Sequence, residues 1–281
     1  MKRVLAGGDE IRFPLERRRE AEICASTLPG IRDRARELLG FTGTQPVRLV
    51  LTDGMPRLRD LLQPYARSLA FWFTLPLALL LFGLVGGATA IATVGAGGTA
   101  WLLHAYGRFL LAVRRAWPHA IGLTIPASGA AGPVILVNLA PSPPPEAAAR
   151  LRLELSGDDR LRTVVAHEFA HVALRSRYRS TRIPAWLDEG VAYWFDEEST
   201  GIKSWTTESR VCVREPDSER DARRKMLGNE ESRLVYYRLT ARYYWEVRHL
   251  ANQGRITELL ATPVKQTAKL RPSVEEMERC C

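Results

Sequence analysis

The run "VVAHEFAHVAL", Val164 to Leu174, places His167, Glu168 and His171 inside one apolar stretch. Histidines four apart lie on one face of an α-helix, one turn from each other, so both imidazoles can hold a single zinc ion. Glu168 follows the first histidine directly, so its carboxylate lies beside the metal rather than on it. A general base acting on metal-bound water belongs there. The uncharged neighbours Val164, Val165, Ala166, Phe169, Ala170 and Val172 form a low-dielectric wall that strengthens the electrostatics of such a site.

Two histidines do not complete a hydrolytic zinc site, which needs three protein ligands and one open position. "PAWLDEGVAYWFD" offers Glu189, at 189 − 171 = 18 positions after His171. That spacing lets one helix end, a loop pass, and a second helix return to face the histidines. Asp188 stands where it can hydrogen-bond a ligating histidine, and Gly190 permits close helix–helix approach. Buried histidines can also be satisfied core residues. The uncharged flanks and the Glu-Gly partner favour the metal.

The elements that must position these residues are legible from periodicity. "AEICASTLPGIRDRARELLG" has helical spacing and Gly40 as its C-cap. "PVRLVLTD", Pro46 to Asp53, reads as a strand, and "MPRLRDLLQPY" as a short helix. A glycine-linked pair of strands follows at Ile121–Ile125 and Val134–Leu139. Asp158 or Asp159 is expected to cap the motif helix. "PDSERDARRKMLGNEES" reads as a solvated excursion, and a long helix ends near Gly254.

Composition narrows the function classes. A chain of 281 residues with 46% hydrophobic and 25% charged content is of ordinary globular make-up. The net charge is +9, and 40 − 5 lysines leaves 35 arginines. No basic run is interleaved with aromatics, so nucleic acid is not expected as a partner. Four cysteines without CxxC spacing exclude a cysteine zinc site: Cys24 and Cys212 are isolated, and Cys280–Cys281 falls in a tail. The N-terminus has no apolar core of the signal-peptide kind, so a cytoplasmic start is expected.

From Ser68 to Gly107 no Asp, Glu, Lys or Arg occurs, a span of 107 − 68 + 1 = 40 residues. One helical crossing of a bilayer takes roughly 20 apolar residues. Gly86–Gly87 and "GAGG" at Gly95–Gly98 supply turn chemistry near the middle, so the segment reads as a transmembrane helical hairpin. Trp72, Trp101 and Tyr106 are interface candidates. Arg57, Arg59 and Arg67 precede the segment, and Arg108, Arg114 and Arg115 follow it. Basic flanks on both sides predict two crossings with the remaining chain at the cytoplasmic face.

"HEFAH" followed by "WLDEG" resembles the gluzincin metallopeptidases, most closely the small peptidase MA-like domains. The order of the helix ending at Gly40, the two strands and the tyrosine-bearing C-terminal helix extends the resemblance to roughly residues 10–67 and 118–262. The apolar insertion is a departure from that family's pattern. The resemblance implies an α+β, zincin-like domain with a small mixed or antiparallel sheet, interrupted by the hairpin. The expected division is 1–67 and 117–262 for the peptidase-like domain, 68–116 for the hairpin and 263–281 for a tail.

The implied function is a membrane-anchored zinc metallopeptidase. Zn2+ would be held by His167, His171 and Glu189, with Glu168 as the base that activates water. The implied partners are a peptide or protein substrate and a lipid bilayer. Related peptidases carry a tyrosine or histidine donor opposite the metal, and Tyr236 and Tyr237 are the candidates here. A catalytically silent, zinc-stabilised binding module tethered to the membrane is the alternative, although a structural site needs no base. An intramembrane protease is disfavoured: Asp158, Asp159, Arg160, Arg162, Arg175 and Arg177 bracket the motif run too closely for it to span. Substrate is expected to pair with "GPVILVNLA" as an edge strand, with Gly129 and Gly132 allowing close approach and proline at Ile135 or Leu136 blocking it.

Overall fold

Five strands form one mixed sheet in the order β1-β2-β3-β5-β4 in a computed structural model that describes residues 1–57, 61, 66–85, 89–126, 132–178, 182–214 and 230–279. The strands are β1 (Lys2–Ala6), β2 (Asp9–Phe13), β3 (Arg48–Thr52), β4 (Gly122–Ile125) and β5 (Val134–Asn138). The β1–β2 hairpin turns at Gly7 and Gly8, both at positive φ. β3 runs parallel to β2 and to β5, whereas β4 runs antiparallel to β5.

Every residue of β5 is buried, as a strand covered on both faces requires. The period-2 alternation sorts the two faces. Leu49, Leu51, Ile135 and Val137 join the main core against the helices. Val50, Ile125, Val134 and Leu136 join a second cluster with Val113 and Trp117.

Nine α-helices are described: α1 (Arg18–Leu39), α2 (Ala66–Val85), α3 (Thr89–Ala116), α4 (Glu146–Ala149), α5 (Gly157–Tyr178), α6 (Ala185–Thr200), α7 (Glu230–Asn252), α8 (Ile256–Ala261) and α9 (Val274–Arg279). Helix α1 ends at Gly40, whose φ of 63° is the left-handed conformation expected of a glycine cap. The chain is 64% helical, so helices dominate rather than sharing the fold evenly with the sheet. The expected class, an α+β zincin-like domain interrupted by a transmembrane hairpin, is corrected to a mostly helical chain with a small mixed sheet.

The expected transmembrane hairpin is not found. Among the described residues, no helix is long and apolar enough to cross a bilayer. The expected two-crossing topology and the membrane localisation fall with it. The charge-free stretch is divided between α2 and α3, and Gly, Ala and Thr fill much of α3. Small residues contribute little transfer free energy.

They serve contact between the helices instead. A methyl group on Gly95 would stand 2.6 Å from Pro76 O and 2.7 Å from Leu80 Cα, so the two helices touch backbone to backbone there. The base of α3 also covers the second face of the sheet through Val113, with Trp117 just beyond it. Trp117 Nε1 donates to Gly54 O at 2.8 Å. Farther out, Phe82, Leu84, Val94 and Trp101 are exposed.

Several sequence expectations fall elsewhere. Gly86–Gly87, Gly129, residues 216–229 of the expected excursion, most of the short helix after Met55, the side chains of Trp72 and Tyr106, and Cys280–Cys281 lie outside the described residues. The strand Val134–Asn138 is interior, not an edge: β3 and β4 pair on its two sides. Gly132 meets the Pro46 carbonyl, so its closeness serves the start of the β3–β5 ladder rather than a ligand. Proline at Ile135 or Leu136 would therefore damage the sheet rather than test substrate pairing.

Candidate metal centre

Helix α5 starts one turn before the expected caps. Ser156 Oγ accepts from the Asp159 N–H at 3.3 Å, so Ser156 is the cap and the two aspartates sit in the first turn. The helix is buried along Val165, Ala166, Phe169, Ala170 and Ala173, which fixes its rotation against α1 and α6. Helix α6 is preceded by Pro184, whose φ of −60° suits a helix entrance, and is capped at its end by Gly201 at a φ of 72°. Gly190 lets α6 approach α7 rather than α5. A methyl group there would stand 2.7 Å from Val247 Cγ2 and 3.0 Å from the Tyr243 carbonyl carbon.

This packing brings His167, His171 and Glu189 together, with one ligand atom from each lying within 4.8 Å of the others. His167 Nε2 is 3.6 Å from Glu189 Oε2. Ligands held roughly 2.1 Å from one zinc ion stand about 3.4 Å apart in a tetrahedron, so small side-chain movements complete the site. His171 Nδ1 lies 2.7 Å from Asp188 Oδ1, which leaves Nε2 directed at the cluster.

The residues fit a cation on a second count. His167 Nδ1 and Glu189 Oε2 are buried and lack any hydrogen-bond partner. Buried polar atoms normally find partners, and a cation beside Glu189 Oε2 would supply one there, whereas His167 Nδ1 faces Asp196. In the metal-free protein a proton takes that role. Burial disfavours an imidazolium at His167, but Asp196 and Glu189 outweigh it and push the pKa up to about 10. His171 is also raised: burial opposes its charge, and Asp188 favours it. Glu189 and Asp188 are lowered, because the histidines outweigh the burial that would raise them.

Glu168 is buried beside the cluster. The Thr124 hydroxyl lies 2.7 Å from Glu168 Oε2 and 2.9 Å from the Glu168 carbonyl, so strand β4 orients the carboxylate. Gly122 makes room for it: a methyl group there would come 2.6 Å from Glu168 Cγ. Tyr236 and Tyr237 both line the cavity, of about 390 Å³, that contains His167, Glu168, His171 and Glu189. The Tyr236 pKa is raised well above the ordinary phenol value by burial, then by the charges of Glu189 and Glu168 among its neighbours. Tyr236 is thus kept as a hydrogen-bond donor facing the acidic groups. Tyr237 turns toward Arg152, whose guanidinium carbon is 5.9 Å from its ring centroid.

Sequence reasoning missed four contributors. Asp196, 3.7 Å from His167 Nδ1, carries a signal in its spacing: it lies seven positions after Glu189 on the same helix face. Burial raises its pKa to about 6 against the pull of His167. Tyr193 packs its ring 4.3 Å from the His167 ring and lies four positions after Glu189, again at helical spacing. Thr124 and Arg152 carry no local signal, since only the tertiary fold brings them here. No family model, curated protein or solved structure gives a match to this chain, so the gluzincin resemblance rests on the residues that carry it and on the geometry they adopt.

Proposed function

We propose that this chain is a zinc-dependent peptidase that hydrolyses peptide bonds with Glu168 as general base. The observation that carries the reading is the convergence of His167, His171 and Glu189, with Glu189 Oε2 buried and unpartnered among them, beside a carboxylate oriented by Thr124. His167, His171 and Glu189 would hold zinc, which when bound supplies Lewis-acid polarisation of water and of the scissile carbonyl.

The protein groups divide the remaining work. Glu168 takes a proton from the attacking water and delivers it to the departing amine. Tyr236 donates to the oxygen that gains charge, with Tyr237 as the other candidate for that role.

Among the described residues, the edge strand of the sheet next to the site is β4. Asn138 N donates to Ile121 O at 2.9 Å, and antiparallel alternation then turns the main-chain groups of Gly122 and Thr124 away from β5. Arg175 donates to Thr124 O at 2.7 Å, which leaves Gly122 as the position for backbone pairing with an extended substrate.

Metal analysis and peptide cleavage test the reading together. The purified chain is expected to hold about one zinc ion, and His167→Ala or His171→Ala to lose it. Glu168→Gln is expected to keep the metal and lose hydrolysis. Full activity in Glu168→Gln overturns the mechanism. Zinc without cleavage in the unaltered chain leaves the binding module as the reading, with no membrane tether.

A further inference from the structure

Arg152 lies in the segment between α4 and α5, where it forms an antiparallel bridge to Trp205. Its guanidinium carbon is held 5.3 Å from the ring centroid of Trp205 and 5.8 Å from that of Tyr193, with Tyr237 on a further side. It lines the cavity that contains His167, Glu168 and Glu189.

Several other arginines of the molecule answer to a carboxylate or a carbonyl. Arg32 pairs with Asp9, Arg248 with Glu198 at 2.6 Å, and Arg271 with Glu246 at 2.8 Å. Two more arginines line the cavity: Arg175 donates to Thr124 O, and Arg233 to Pro143 O. Arg152 forms no ion pair among the described residues. Asp196, whose charge it feels, is turned toward His167 and Ser204.

Arg152 is half-buried, and Tyr193, Tyr237 and Asp196 favour its charge, but among the described residues it has no carboxylate held against its donors. Aromatic contact occupies the faces of the guanidinium and a hydrogen bond to Tyr237 takes part of its donor set, which leaves the remaining in-plane N–H groups for a carboxylate. The partner such a set matches is a planar carboxylate.

We propose that Arg152 is a specificity-determining residue that binds a carboxylate of the substrate, supplied by an Asp or Glu side chain or by the free C-terminus of the peptide. The assignment rests on the peptidase reading, because the ligand class is a peptide. Rings of Tyr193, Trp205 and Tyr237 hold the guanidinium in place before substrate arrives, so little conformational freedom is lost on binding.

Binding to the zinc-loaded Glu168→Gln chain tests the proposal without requiring turnover. The probes are dansyl-labelled hexapeptides of neutral sequence, each with one Glu or one Gln at a given position, and each with a free or amidated C-terminus. At one position Glu is expected to bind about tenfold or more tighter than Gln, or the free C-terminus to bind tighter than the amide by the same factor. The first result assigns the side chain as the source of the carboxylate, and the second the terminus.

In the Arg152→Met background the difference is expected to vanish, and in Arg152→Lys to be partly kept. Zinc content and thermal melting report whether the variants are folded. Equal affinity for every Glu and Gln pair and for both termini overturns the proposal, as does a preference that survives in Arg152→Met. The same peptides given to the unaltered chain separate the two readings. A carboxylate preference with no cleavage sinks the peptidase and leaves Arg152 as an acidic-peptide anchor.

Discussion

The Nδ1 atom of His171 stands 2.7 Å from Asp188 Oδ1, and the residue next to that aspartate, Glu189, supplies the third ligand of the same cluster. One turn of α6 therefore both completes the site and sets the tautomer of a histidine on α5. An imidazole that donates from Nδ1 presents the lone pair of Nε2 to the metal. Asp188→Asn is expected to weaken zinc affinity by about 10–100-fold, read by competition with a chromophoric chelator. Unchanged affinity would mean that the aspartate serves only packing.

Gly122 and Glu168 are linked in the same direct way. A side chain at position 122 would meet Glu168 Cγ at 2.6 Å and push the carboxylate off its bond to Thr124. Gly122→Ala is expected to retain zinc while turnover falls on the order of 10²-fold, the scale of a displacement of about 1 Å at a reacting group. Metal analysis and single-turnover kinetics separate the two effects. A variant that cleaves at the normal rate would show that Glu168 tolerates the move.

The two tyrosines should part company. Tyr236 is held as a protonated donor near Glu189 and Glu168, whereas Tyr237 is engaged with Arg152. Tyr236→Phe is expected to lower kcat by about 10²–10³-fold with zinc retained, as loss of one oxyanion donor does. Tyr237→Phe is expected to cost far less. If neither substitution alters turnover, neither residue donates to the transition state.

Gly190 carries a stability test that is independent of chemistry. An added methyl group has 2.7 Å to Val247 Cγ2 and 3.0 Å to the Tyr243 carbonyl carbon, and a backbone neighbour cannot rotate away. Gly190→Ala is expected to destabilise the fold by about 1–3 kcal/mol, the range of overpacked cores. Thermal melting of the metal-free chain checks it. A variant as stable as its parent would show that α6 and α7 can separate without loss.

The sequence alone determined what depends on local spacing. His167 and His171 four apart, the Asp188–Glu189 pair entering a helix after Pro184, and the cap at Gly40 are all read from neighbours on one element. Such patterns survive because helix geometry is the same in any fold. The same logic failed for the charge-free stretch: α2 and α3 divide it between them, and among the described residues no helix is long and apolar enough to cross a bilayer.

Only the tertiary structure decided the rest. The β1–β2 hairpin, the interior place of Val134–Asn138 and the edge position of Gly122–Ile125 depend on pairing between distant segments. Thr124 reaches Glu168 across 44 positions, and Arg152 meets Trp205 across 205 − 152 = 53. No periodicity in either segment encodes those meetings. They arise because burying the two faces of one small sheet leaves its β4 edge against the helix that carries the motif.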